Sequence, residues 1–191
     1  MIRCHKHNTP WGALMTVDEY LEFEENSPVR HEYVNGSIYA MSDISVAHAR
    51  LTRELVIAVG GHLRGGPCEP FSTNLKLLIR TDTDEIFYYP DVVVACEREH
   101  WGPNYVRNPK LVAEILSPST QHIDRREKAM TYRRIASLEE YVLLAQDDHQ
   151  VTVQRRAENW RPQSYTGLQA TVEFRSIGLS VPLAQIYEGT L

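Results

Sequence analysis

Two short apolar runs, each carrying a single acid, limit the folds open to this chain. Asp91 opens Asp91-Val92-Val93-Val94-Ala95-Cys96, and Glu114 interrupts Leu111-Val112-Ala113-Glu114-Ile115-Leu116. Short runs of this kind, rich in Val, Ile and Leu, are strands covered on both faces, so both predict central places in a sheet. A carboxylate carried into such a strand loses hydration and destabilises the fold unless a cation or hydrogen-bond donor compensates it. Two such strands side by side bring the acids together, and their repulsion creates a demand for a divalent cation. Carboxylate oxygens plus water are the ligands Mg²⁺ prefers. Plainer readings compete: Asp91 as a turn residue after Pro90, and Glu114 as a solvent-facing position on an edge strand.

The surrounding pattern supplies the rest of an α/β or α+β domain. Thr16-Val17-Asp18-Glu19 has the form of a capping box, opening a helix that ends near Asn26-Ser27-Pro28. Asn35-Gly36 tolerates the positive φ angles of a type I′ turn and predicts a β-hairpin between 32–34 and 37–39. Ser45 to about Leu63 reads as a second helix, with Leu51, Leu55, Val59 and Leu63 at four-residue spacing. Strands are expected at Asn74–Ile79, Phe87–Cys96 and Leu111–Leu116. A helix then runs from the Ser117-Pro118-Ser119-Thr120 cap to about Ala136. Further strands at Tyr141–Ala145, Val151–Arg155 and Ser164–Thr166, and a short helix near Leu183–Tyr187, close the chain. The sum is one mixed sheet with flanking helices, with residues 1–13 as a flexible tail and 14–191 as a single domain.

Lys128 breaks the pattern of its own helix. With successive residues turned by about 100°, Tyr132 falls about 40° and Ile135 about 20° from Lys128, inside the apolar arc. Lysine is seldom buried without a partner, though its stem can also snorkel to water. Because the helix follows closely on the Glu114 strand, an inward lysine can reach back to the acids. Two carboxylates, a cation and a lysine suit phosphodiester hydrolysis, the lysine orienting water or stabilising charge on phosphoryl oxygens.

Composition narrows the class. The chain has 191 residues, 42% hydrophobic and 24% charged, and a formal net charge of −5. That acidity argues against a binder that relies on bulk charge, though a local basic face or bound cations can still present a positive surface to phosphate. No apolar run reaches the roughly 18 residues of a membrane span, and the N-terminus lacks a secretory pattern. Three widely spaced cysteines, Cys4, Cys68 and Cys96, argue against a disulfide framework and fit a reducing cytoplasm. Arg155-Arg156 and Arg161 read as either a DNA-facing patch or a solvated hairpin surface.

Several of these segments together carry a resemblance. Tyr89-Pro90-Asp91, then Leu111-Val112-Ala113-Glu114-Ile115-Leu116-Ser117-Pro118-Ser119-Thr120, then Asp124-Arg125-Arg126-Glu127-Lys128, resemble the Uma-type restriction-endonuclease family, a branch of the PD-(D/E)XK nuclease superfamily. His31-Glu32-Tyr33-Val34-Asn35-Gly36 and Gly178-Leu179-Ser180-Val181-Pro182-Leu183 extend the similarity over most of the chain. The resemblance implies a restriction-endonuclease-like core in which Asp91 and Glu114, with Ile115, bind Mg²⁺ or Mn²⁺. The lysine expected two residues after the glutamate is replaced by Leu116, so the resemblance gives its role to Lys128. It also implies Glu32 as a fourth catalytic residue, with a cross-strand partner on an exposed hairpin as the alternative. His48 is a secondary candidate, set against a structural or capping histidine. Arg125, Arg126 and Arg133 are the expected DNA contacts, and a homodimer is expected if two antiparallel strands are cut symmetrically. The competing function is a silent nuclease-fold module that binds DNA or protein without cleaving.

Overall fold

The computed structural model describes residues 14–72, 74–117 and 127–190; the expected tail and the Pro118–Arg126 stretch lie outside them. Helix α1 (Val17–Asn26) starts where expected, because Thr16 accepts the Glu19 N–H while the Glu19 side chain takes the Thr16 N–H at 2.8 Å. Strands β1 (His31–Val34) and β2 (Ser37–Ala40) form the hairpin, with Asn35 and Gly36 at φ 48° and 91°. Helix α2 (Val46–Leu63) is capped by Ser45.

The remaining strands are β3 (Glu69–Ser72), β4 (Lys76–Arg80), β5 (Glu85–Tyr88), β6 (Val92–Ala95), β7 (Tyr105–Val106), β8 (Pro109–Leu116), β9 (Glu140–Ala145), β10 (Gln150–Arg155), β11 (Pro162–Thr166), β12 (Thr171–Phe174) and β13 (Leu179–Pro182). Short helices α3 (Ala129–Tyr132) and α4 (Leu183–Ile186) follow β8 and β13. The strands form a mixed six-stranded sheet ordered β11-β10-β9-β8-β6-β3, a five-stranded sheet ordered β2-β1-β5-β4-β7, and the pair β12-β13.

The α+β class is as expected, but the single sheet is not. The segment 87–96, expected as one strand, breaks at Tyr89-Pro90-Asp91, and its halves enter different sheets as β5 and β6. Pro90 has no N–H to give a ladder and restricts Tyr89 before it, so the chain turns from one sheet to the other here. The helix after β8 also ends earlier than expected. It gives way at Tyr132 to tightened turns in which Arg134 N–H bonds Thr131 O and Ile135 N–H bonds Tyr132 O.

Alternation along the strands builds the layers. Val92, Val94, Ala113 and Ile115 face Leu51, Leu55 and Val59 of α2. Val93, Ala95, Val112 and Leu116 face Leu77, Ile79, Ile86 and Tyr88 of the five-stranded sheet. On that sheet's far side, Leu78, Phe87, Tyr33 and Ile38 pack on Tyr20 of α1. The order is therefore α2, six-stranded sheet, five-stranded sheet, α1. Glu114 is in phase with Val112 and Leu116, which aims it between the two sheets, whereas Asp91 precedes β6 at the end of the sheet, where its side chain reaches His48 of α2.

Cys68 and Cys96 are joined by a disulfide, which corrects the expectation from cysteine count. The antiparallel register pairs Glu69 with Ala95, so the residues just outside that pair meet although 28 positions separate them in sequence. Among the described residues, no helix is long and apolar enough to cross a membrane.

Candidate active site between the two sheets

The register of β6 on β8 sets Val92 opposite Ala113 and Val93 opposite Val112. Extended by one residue, it puts Asp91 opposite Glu114, and there the Asp91 N–H donates to Glu114 Oε2 at 3.4 Å. In return Asp91 Oδ2 accepts the Ile115 N–H at 2.7 Å. Asp91 is thus fixed to the neighbouring strand by its main chain and its side chain together. Its other oxygen, Oδ1, meets His48 Nε2 at 2.7 Å. His48 stands in the first turn of α2, where its own N–H bonds the Ser45 cap at 3.0 Å.

Glu114 is 3% exposed on a strand flanked by β6 and β9, so the solvent-facing edge reading is excluded. Its Oε1 accepts the Tyr132 hydroxyl at 2.7 Å and lies 3.4 Å from Lys128 Nζ. Lys128 is 8% exposed and does not snorkel free: its Nζ is also 2.8 Å from Glu32 Oε1 and 5.3 Å from the Tyr88 ring centroid. Burial, and then the charge of Glu114, push the Tyr132 phenol well above its ordinary range, so it stays protonated and donates.

The structure therefore brings together Asp91, Glu114, Lys128, Glu32 and His48. It adds Tyr88 and also Tyr132, which sequence reading placed in the apolar arc of its helix. The available signal was Tyr132 one helical turn from Lys128 on the same face. Arg133 directs its guanidinium to Gln154 Oε1; Arg125 and Arg126 lie outside the described residues. Arg155 is neither a DNA-facing patch nor solvated. It is 3% exposed, paired with Glu140 at 2.8 Å and bonded to Gln163, Tyr165 and the Glu173 carbonyl. Arg156 is turned onto the carbonyls of Leu138 and Ile135.

The donor set fits a hard divalent cation. Lys128 stands between the carboxylates of Glu32 and Glu114, while Asp91 meets His48. Among the described residues, no group of three or more His, Cys, Asp and Glu side chains is arranged to hold a metal alone. Two carboxylates with water and substrate phosphate are nevertheless the common protein share for Mg²⁺. Ile115 gives its N–H to Asp91, so a main-chain carbonyl is what it has left to offer a cation.

A model of the family Uma2, described as "Putative restriction endonuclease", matches residues 17–184. The chain belongs to this family. An uncharacterized protein of Synechocystis sp. is 32% identical to this Uma2 chain over 188 residues, covering 97% of each. A second uncharacterized Synechocystis protein is 31% identical over 166 residues, covering 84% of this chain and 93% of its own. The fold is that of a solved structure described as "a putative nuclease belonging to DUF820" from Anabaena variabilis. That chain has a TM-score of 0.75 at 19% identity, with 93% of this chain and 99% of that chain covered.

Proposed function

We propose that this Uma2 protein is a divalent-metal-dependent endodeoxyribonuclease, with Asp91 and Glu114 holding Mg²⁺ or Mn²⁺ and Lys128 serving the reacting phosphate. The observation that carries this reading is the reciprocal Asp91–Glu114 lock across β6 and β8, with a buried lysine on the same glutamate. Asp91, Glu114 and the Ile115 carbonyl would hold the cation, which when bound supplies Lewis-acid activation of water and phosphate at neutral pH.

The chain's own side chains divide the remaining work. His48 holds Asp91 Oδ1, and Tyr132 holds Glu114 Oε1, so both carboxylates are oriented before substrate arrives. Lys128 can place a donated hydrogen bond on a phosphoryl oxygen or on the attacking water, and Glu32 sets the direction of that ammonium. The burial of Glu114 and Lys128 limits bulk water around those two groups. Arg125, Arg126 and Arg133 are the proposed contacts to DNA phosphates. A cytoplasmic homodimer would cut both strands of a duplex.

The test is nicking of supercoiled plasmid by the full chain with Mg²⁺ or Mn²⁺ and with EDTA. Cleavage that requires the cation and is lost in folded Asp91→Ala and Glu114→Ala proteins supports the reading. DNA affinity that survives Asp91→Ala and EDTA, with no cleavage by wild type, identifies a silent DNA-binding module instead.

A further inference from the structure

The ladder between β1 and β5 is short. It pairs Tyr33 with Phe87 and Val34 with Ile86, and then stops. Continued in register, the next pairs would be Glu32 with Tyr88 and His31 with Tyr89. At the second of these a side chain from a third element does the joining. Glu24, on α1 and 0% exposed, accepts the His31 N–H at 2.9 Å and the Tyr89 hydroxyl at 2.8 Å on the same oxygen, Oε1. Its Oε2 lies 3.1 Å from His31 Nδ1. Tyr20, one turn earlier on α1, gives its hydroxyl to the His31 carbonyl at 2.7 Å. From β4, the ammonium of Lys76 sits 5.6 Å from the Tyr89 ring centroid.

Chain neighbours give this junction its meaning. His31 directly precedes Glu32, and Tyr89 stands two residues before Asp91. These are the two acids of the site that come from the five-stranded side and from the crossover between sheets. A ladder hydrogen bond or an apolar pair would close the same gap without burying a charge, so the carboxylate is an expensive way to obtain stability alone. It does tie the His31 backbone to the Tyr89 side chain, at the point where the strands part to admit Glu32 beside Lys128.

We propose that Glu24 is a positioning residue that sets the placement of Glu32 relative to Asp91 through His31 and Tyr89. This rests on the nuclease reading of the site. The junction touches neither substrate nor the reacting groups, so its loss loosens geometry without removing chemistry. Displacement of a catalytic group by about 1 Å can cost on the order of 100-fold in rate.

The test uses the full chain and three variants. Tyr89→Phe deletes one arm and keeps the ring, Glu24→Gln keeps the shape, and Glu24→Ala removes the junction. For Tyr89→Phe the expected result is about a tenfold fall in kcat, with KM for DNA within about twofold of wild type. Glu24→Ala should fall further, with Glu24→Gln between it and wild type. Amide hydrogen exchange provides a readout independent of cleavage: in Glu24→Gln, peptides spanning 30–36 and 87–93 should both exchange faster, with β10 and β11 unchanged. The proposal is overturned if Tyr89→Phe and Glu24→Gln keep kcat within about twofold, or if faster exchange is confined to α1. If wild type neither cleaves DNA nor binds Mn²⁺, the nuclease reading fails, and the exchange pattern still decides whether Glu24 couples the two segments.

Discussion

Lys128→Met isolates the role of the buried ammonium. The substitution keeps an unbranched stem of similar volume against Tyr88 and removes the charge that lies 2.8 Å from Glu32 and 3.4 Å from Glu114. Removing one member of a buried ion pair costs about 3–5 kcal/mol, because its partner is left charged and dry. Glu114 keeps the Tyr132 hydroxyl and the Asp91 N–H, and the Glu32 side chain is 17% exposed, which places this site at the low end. The expected loss is therefore about 3 kcal/mol, or a urea midpoint lower by roughly 1.5 M for a slope of about 2 kcal/mol per molar. In a Glu114→Gln background the same change should cost about 1 kcal/mol, giving a coupling of about 2 kcal/mol. Mg²⁺ should raise the Lys128→Met midpoint more than that of wild type, since the ammonium no longer competes for the carboxylates. Urea titrations followed by circular dichroism, with and without Mg²⁺, measure all of this. A loss below about 0.5 kcal/mol, or an equal loss in both backgrounds, would refute the view of Lys128 as the compensating charge.

Other consequences can be checked separately. Tyr132→Phe removes the donor held 2.7 Å from Glu114 and should cost about 1 kcal/mol in denaturant stability while lowering cleavage; an unchanged midpoint and rate would deny it a role. Burial raises the phenols of Tyr20, Tyr89, Tyr132 and Tyr187 above the ordinary value of 10.0. The folded state then holds protons that the unfolded chain releases, so this contribution is intact below pH 10 and is lost as pH rises above it. Each such tyrosine removes about 1.4 kcal/mol per pH unit in that window, and a urea midpoint that is flat from pH 9 to 12 would contradict it. The Cys68–Cys96 bond predicts one reactive thiol in the denatured, unreduced chain, and a loss of about 3.5 kcal/mol on reduction; three thiols on titration would rule it out.

Local chemistry made much of the fold legible. The capping box, the Asn35-Gly36 turn and the Ser45 cap each satisfy their own backbone groups within a few residues, so no distant partner had to be known. Asp91, Glu114 and Lys128 were visible because a charge inside an apolar pattern is an energetic anomaly wherever the chain puts it. What sequence did not show depends on register between distant strands. The separation of β5 from β6 at Pro90 sends two halves of one apolar run to different sheets, and periodicity is blind to that. The Cys68–Cys96 pairing and the Glu24 junction likewise arise only when segments far apart in sequence come into line. Tyr132 was hidden for another reason: its ring belongs to the core, and only its hydroxyl belongs to the site.

The central claim is that Asp91 and Glu114 form one cation site, and Mn²⁺ titration calorimetry of the full-length protein tests it without assuming a substrate. Wild type should bind Mn²⁺ saturably, and Asp91→Ala and Glu114→Ala should each abolish that binding while remaining folded by circular dichroism. Wild type that binds no divalent cation while folded, or variants that bind as wild type does, would contradict it.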